Sequence, residues 1–134
     1  MTMKLAIQRE AYGSPENHKW LGSSHGADTW ESLTLSAAAF AATFPTGVVP
    51  SGVVIRKVLA TGLYVPYAAG GIGERTFHLA TTVDLGMGAA ASDTPAAGMW
   101  HGQVVVAKLP TNHGLVAAAA TAMKLVDYVG TVPA

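Results

Sequence analysis

Residues 50–67, which read PSGVVIRKVLATGLYVPY, constrain the fold of this chain more than any other stretch. Residues 53–59 and 63–67 are rich in β-branched and aromatic side chains, so each predicts a β-strand. Gly62 stands between them, where it suits the left-handed position of a three-residue hairpin loop. Pro66 has no N–H to donate, so the second strand is expected to lie at a sheet edge or to end there. The stretch therefore predicts an antiparallel hairpin.

Arg56 and Lys57 are the only charged residues of this hairpin, which also lacks thiols and histidines. Two adjacent cations could form an anion site, but we interpret them as an exposed pair that hinders edge-to-edge association of a sheet. The hairpin thus predicts a scaffold and a surface, with no catalytic group.

The remaining patterns predict a mainly β body with little helix. Alternating side chains or runs of valine predict strands within residues 33–36, 76–83 and 98–110. Residues 37–44 predict a helical turn, which Pro45 would end.

A C-terminal helix is predicted between Asn112, a candidate cap, and Gly130, a candidate stop. Its apolar residues recur at helical spacing. They are Leu115, Ala118, Ala119, Ala122, Leu125 and Val126.

The chain length of 134 residues suits one compact domain. Residues 1–35 show little regular pattern and predict an extended N-terminal arm, and residues 36–134 predict the single β-rich domain. Trp20 and Trp30 lie in the arm, where aromatic side chains are costly to leave in water. We expect them to dock either on the domain's own core or on another protein.

The balance of charge excludes several partners. Eight cations offset eight anions, so no net electrostatic field favours binding of nucleic acid or of an anionic membrane.

Residues 32–55 are uncharged and long enough to span a membrane, but Pro45, Gly47, Pro50 and Gly52 would break a helix there. The apolar run before Gln8 is too short for a signal peptide core. With half its residues apolar and 12% charged, the chain is expected to assemble with a partner.

The sequence offers few catalytic patterns. No serine stands in Ser-x-x-Lys, there is no cysteine, and the acidic residues are scattered. A small metal-dependent hydrolase that uses His18, His25 and His101 is one alternative, although their spacing does not match a helical zinc motif. We expect no enzymatic activity, no metal and no cofactor.

Three segments together carry a resemblance to a known family. They are KWLGSSHGADTWESLTLSAAAF, VVPSGVVIRKVLATGLYVPY and GMWHGQVVVAKLP, which span residues 19–110. In this order they resemble the head decoration proteins of tailed bacteriophages, in the version found among phages of actinobacteria, which is distantly similar to the lambda-type decoration protein.

The resemblance implies a structural protein with a small β-tulip body, located on the outer surface of the virion and assembled in the host cytoplasm. Such proteins bind the major capsid protein as homotrimers at three-fold and quasi-three-fold sites, and they stabilise the expanded head against packaged DNA. It further implies that the arm contacts the capsid. The anchors expected in this arm are Trp20, Leu21, His25, Trp30 and Leu33. Another virion component, in the tail or neck, is the alternative within this class.

Overall fold

The computed structural model describes residues 18–24, 26, 29–67 and 75–134. Within them the fold is mainly β, as predicted. The strands are β1 (Glu31–Leu35), β2 (Val48–Val49), β3 (Val54–Lys57), β4 (Tyr64–Pro66), β5 (Thr76–Leu79), β6 (Val83–Asp84), β7 (Thr94–Met99), β8 (Gly102–Val105) and β9 (Val126–Val129). The α-helices are α1 (Ala37–Phe40) and α2 (Ala117–Ala122), and short 3-10 turns span Gly88–Ala90 and Val106–Lys108.

Five strands close into a barrel in the order β1, β4, β3, β5, β7. The predicted antiparallel pairing is confirmed: β3 pairs with β4, Gly62 adopts φ 74°, and β4 ends at Pro66. The connection spans residues 58–63 and is longer than the three residues predicted. β1 pairs antiparallel with β7 over its whole length and meets β4 in parallel at Leu35 and Tyr64. The smaller pairs are β2 with β6, antiparallel, and β8 with β9, parallel.

Successive side chains of the barrel strands point to opposite faces of the sheet, so the core consists of two clusters. The inner cluster is formed by side chains from one face of the barrel sheet, from α1 and from the residues around α1. Its buried members include Leu33, Leu35, Phe40, Phe44, Ile55, Phe77 and Leu79. The outer cluster packs on the opposite face, beneath α2 and β9. Its buried members include Trp20, Val54, Met99, Val104, Leu115, Ala119 and Met123.

β8 joins the two ends of the described chain. On one side it pairs with β9. On the other, the Gly22 amide donates to the Gln103 carbonyl over 2.9 Å, and the Val105 amide donates to the Trp20 carbonyl over 2.6 Å. The outer cluster is therefore closed by residues from both ends of the chain.

Two of the predicted boundaries are wrong. The arm was predicted to extend to residue 35, but residues 31–35 form β1 of the barrel, so the body begins before this boundary. The strand predicted over residues 98–110 is divided between β7 and β8, with a turn at Trp100 and His101 between them.

The C-terminal helix is shorter than predicted. α2 has six residues, and its N-cap is Val116 in place of Asn112, which instead adopts φ 61°. The residues after it form β9, and Leu125 from the predicted apolar face is exposed. The residues after the helix pair with β8 as a strand, although their spacing in the sequence is compatible with a helix.

The prediction for Arg56 and Lys57 is also wrong. β3 lies between β4 and β5 in the closed barrel, so neither cation is on an edge strand. Both side chains are half-buried.

Gly98 provides a test of how tightly the barrel interior is packed. A Cβ atom at this position would lie 2.7 Å from Leu33 Cδ2 and 3.0 Å from Phe77 Cδ2. We expect Gly98→Ala to lower the free energy of unfolding by about 1–3 kcal/mol, because the added methyl overpacks the interior. Urea unfolding measures this change; an unaltered midpoint would show that the interior has room to spare.

Candidate functional site

The predicted anchor residues are placed in three different environments. Trp20 is fully buried, with 0% of its surface exposed, and Leu33 is buried in the inner cluster. Leu21 and Trp30 are half-buried against the outer cluster. His25 lies outside the described residues. In this conformation only Leu21 and Trp30 of the described anchors present surface to a partner.

Trp20 is the central residue of the N-terminal segment. Its indole Nε1 donates to Ser51 Oγ over 3.1 Å, and its ring stacks on His78 with the centroids 5.7 Å apart. Tryptophan needs both apolar contact and a hydrogen-bond acceptor when it is buried, and the body supplies both. Of the two docking possibilities left open by the sequence, the structure shows docking on the chain's own core.

His18 adds a second attachment for this segment. Its Nε2 atom donates to the carbonyl oxygen of buried Ala80 over 2.8 Å. Its ring lies edge-on to Trp20 at 6.3 Å and to Trp30 at 5.8 Å between centroids. The rings of Trp30, His18, Trp20 and His78 thus form one continuous series of contacts from the surface into the body.

His78 ends this series as a completely buried imidazole. Its Nδ1 atom lies 2.7 Å from the Gly52 carbonyl oxygen, and its Nε2 atom lies 2.8 Å from the Tyr128 hydroxyl. Because a carbonyl only accepts, Nδ1 carries the proton and Nε2 accepts from Tyr128. Burial lowers the pKa of His78 from its ordinary value of 6.5 to about 4, against an opposing effect of the Gly52 hydrogen bond, so the ring is neutral at pH 7.

Tyr128 extends the network to the C-terminal strand. Burial raises the pKa of its hydroxyl above the ordinary value, so the group stays protonated and can donate to His78. The hydroxyl also lies 3.6 Å from the sulfur of Met123. With both imidazole nitrogens engaged, the arrangement joins β5, β9 and the Gly52 turn, and its role is structural.

The apolar neighbours of His78 in the sequence predict a structural histidine whose hydrogen bonds are satisfied, and the structure agrees. Its partners could not be predicted, because they stand 26 and 50 residues away. The alternating pattern of β9, which reads VDYV, was the available signal, since it marks Tyr128 as facing the core side with Val126.

The histidines of the hydrolase alternative are not gathered into a metal site in the part of the chain that the structure describes. There, no group of three or more His, Cys, Asp or Glu side chains is placed to hold a metal ion. His18 is engaged with Ala80, and the ring of His101 lies 5.5 Å from that of Trp100.

An apolar groove of about 510 Å³ lies between α1 and the segment before β7. Phe40 and Phe44 line one wall, and Leu85 and Met87 line the other. Asp93 closes one end, where its Oδ1 atom accepts from the Ala37 amide over 2.9 Å and satisfies the first turn of α1. Met87 is 61% exposed at the rim.

Among the described residues, none of the helices has the length and apolar character needed to cross a membrane. Comparison of the chain with models of known protein families gives no match, and comparison with curated proteins gives none either.

Proposed function

We propose that this protein is a non-enzymatic structural component of a bacteriophage virion. It binds the exterior of the expanded capsid as trimers at three-fold and quasi-three-fold sites, and it stabilises the head against the pressure of packaged DNA. The partner is the major capsid protein. The resemblance of residues 19–110 to head decoration proteins motivates the proposal.

The observation that carries the proposal is the attachment of the N-terminal segment to the body. Buried Trp20, the His18 hydrogen bond and the pairing of residues 20–22 with β8 fix this segment to the outer cluster of the body. A contact that a capsid subunit makes with residues before His18 would therefore transmit load to the folded body. A capsid-binding segment that is firmly attached to a folded body would suit a protein that clamps neighbouring capsid subunits together.

The surface supports association with another protein. Met87 is 61% exposed and lines the apolar groove beside Phe40, Phe44 and Leu85. Neighbouring exposed apolar side chains are more common at protein interfaces than elsewhere on a surface. Three copies joined in one trimer would bind a symmetric shell strongly even if each contact were weak, because the second and third contacts form at high effective concentration.

Binding to empty shells tests the proposal directly. Purified protein is added to expanded capsids of the matching phage that lack it, and occupancy is measured by sedimentation and by cryo-EM. We expect saturation at three copies per three-fold site and a higher temperature of capsid disruption. Shells that stay bare at saturating protein would refute it, and density confined to the tail or neck would assign the protein to another virion role.

Trp30→Ala tests which residues contact the capsid. Trp30 is half-buried and terminates the series of ring contacts at the surface. We expect this variant to fold and to bind shells at least about tenfold more weakly, since truncated aromatic anchors commonly cost more than 1 kcal/mol at an interface. Leu59→Ala, at an exposed residue in the hairpin loop, is the matched control. Equal affinity of the two variants for the shells would show that Trp30 does not contact the capsid.

A further inference from the structure

A second concave feature lies at the start of β5, away from the apolar groove. It has a volume of about 250 Å³ and is bordered by the turn between α2 and β9. Its lining includes Arg75, Thr76, Trp100, Met123 and Lys124. We refer to it below as the Thr76 pocket.

The side chain of Thr76 is the unusual group in this pocket. The residue is 8% exposed, and its Oγ1 atom is buried with no hydrogen-bond partner in the part of the chain that the structure describes. Buried hydroxyl groups are nearly always hydrogen-bonded, because an unsatisfied one loses its hydration without compensation. A ligand that accepts a hydrogen bond would satisfy this group.

The charges around Thr76 favour an anion. Arg75 and Lys124 line the pocket. Glu31 offsets one of these charges, since its carboxylate forms a two-point salt bridge with Arg75. Two cations against one anion leave a modest positive balance among these three residues.

The salt bridge also prepares Arg75 for a ligand. Its guanidinium has five N–H donors, of which Glu31 occupies one on each terminal nitrogen. The guanidinium carbon lies 4.9 Å from the centre of the Phe77 ring, so it is held on two sides. Because the Arg75 side chain is already ordered, its remaining N–H groups could bind a ligand with little further loss of conformational entropy.

We propose that the Thr76 pocket binds a carboxylate group. A carboxylate carries one negative charge, in keeping with the modest positive balance, and its two oxygens can accept from the Thr76 hydroxyl, an Arg75 N–H and the Lys124 ammonium. The carboxylate belongs either to a small free acid or to an Asp or Glu side chain of a partner protein. This inference does not depend on the capsid role, because it concerns the free protein.

Titration of the full-length protein with sodium acetate, followed by NMR, tests the proposal. We expect saturable shifts of the Thr76 backbone amide and the Trp100 indole N–H at millimolar acetate. Thr76→Val, which removes only the hydroxyl, and Lys124→Gln should each weaken binding about fivefold or more. Lys108→Gln, at an exposed cation outside the pocket, is the control and should bind as the natural protein does.

A parallel titration with a capped Asp-containing tripeptide distinguishes the two sources of the carboxylate. Binding at least about tenfold tighter than acetate indicates a protein side chain, and equal affinity indicates a small free acid. Shifts that fail to saturate, that appear equally with chloride, or that persist unchanged in Thr76→Val would overturn the proposal.

Thermal unfolding without ligand gives an independent measurement on the same variants. An unsatisfied buried hydroxyl is destabilising, so Thr76→Val should raise the Tm by about 3 °C. A lower Tm would show that the hydroxyl has a partner within the chain, and the proposal would then fail.

Discussion

Replacing Trp20 with alanine is expected to lower the free energy of unfolding by about 3–5 kcal/mol, the usual cost of deleting a buried tryptophan side chain. Trp20 is the largest fully buried side chain of the outer cluster, and it contacts His78, Ser51 and β8 at once. Domains of this size are commonly stable by only about 5–15 kcal/mol, so the variant should lose much of its stability. Urea unfolding followed by circular dichroism measures the change.

Trp30→Ala is the matched control for this experiment. It removes the same kind of side chain from the same series of ring contacts, but at a half-buried position. Trp30→Ala should lower the free energy of unfolding by about 1–2 kcal/mol, because the half-buried Trp30 side chain removes less apolar area from water than Trp20 does. Equal losses for the two variants would contradict the central role assigned to Trp20.

Acid is expected to destabilise the protein through His78. The imidazole has a pKa of about 4 in the folded state, because it is buried, and about 6.5 in the unfolded chain. Between these values the unfolded state binds more protons, so the contribution of neutral His78 is complete above pH 6.5 and is lost as the pH falls toward 4. We expect a loss of about 2 kcal/mol between pH 7.5 and pH 5 from this group. The pKa of His113 is also lowered by burial, and it acts in the same direction.

Urea unfolding at a series of pH values measures this dependence, and NMR of the histidine ring protons assigns it. His78 should remain neutral at pH 5, while the dependence of stability on pH should shrink in His78→Gln. A His78 ring that titrates near pH 6.5 in the folded protein would contradict the expected linkage. Because the ring titration uses the natural chain, the result does not require that the variant folds.

The parts of the fold that could be predicted are those set by neighbouring residues. Gly62 and Pro66 define the hairpin, since each limits the backbone dihedral angles available locally. The helical turn at α1 also follows from its alanines and the proline after it. The mainly β class could likewise be read from the strand patterns.

The parts that could not be predicted depend on distant partners. Leu125 and Val126 fit a helical face by spacing, but pairing of Val126 with Gly102 in β8 places them after the helix. Trp20 could have docked on the core or on another protein, and the choice depends on Ser51 and His78, which are far away in sequence. The Thr76 pocket likewise combines β5 with the turn after α2.

The position of β8 between residues 20–22 and β9 also bears on how the chain folds during synthesis. Residues 20–22 emerge from the ribosome early, but their partner strand follows about eighty residues later, and β9 later still. Trp20 therefore lacks part of its binding site on a nascent chain that ends before β8. The outer cluster is complete only when β9 has been made, and until then its apolar side chains are exposed to chaperones or to another unfinished copy.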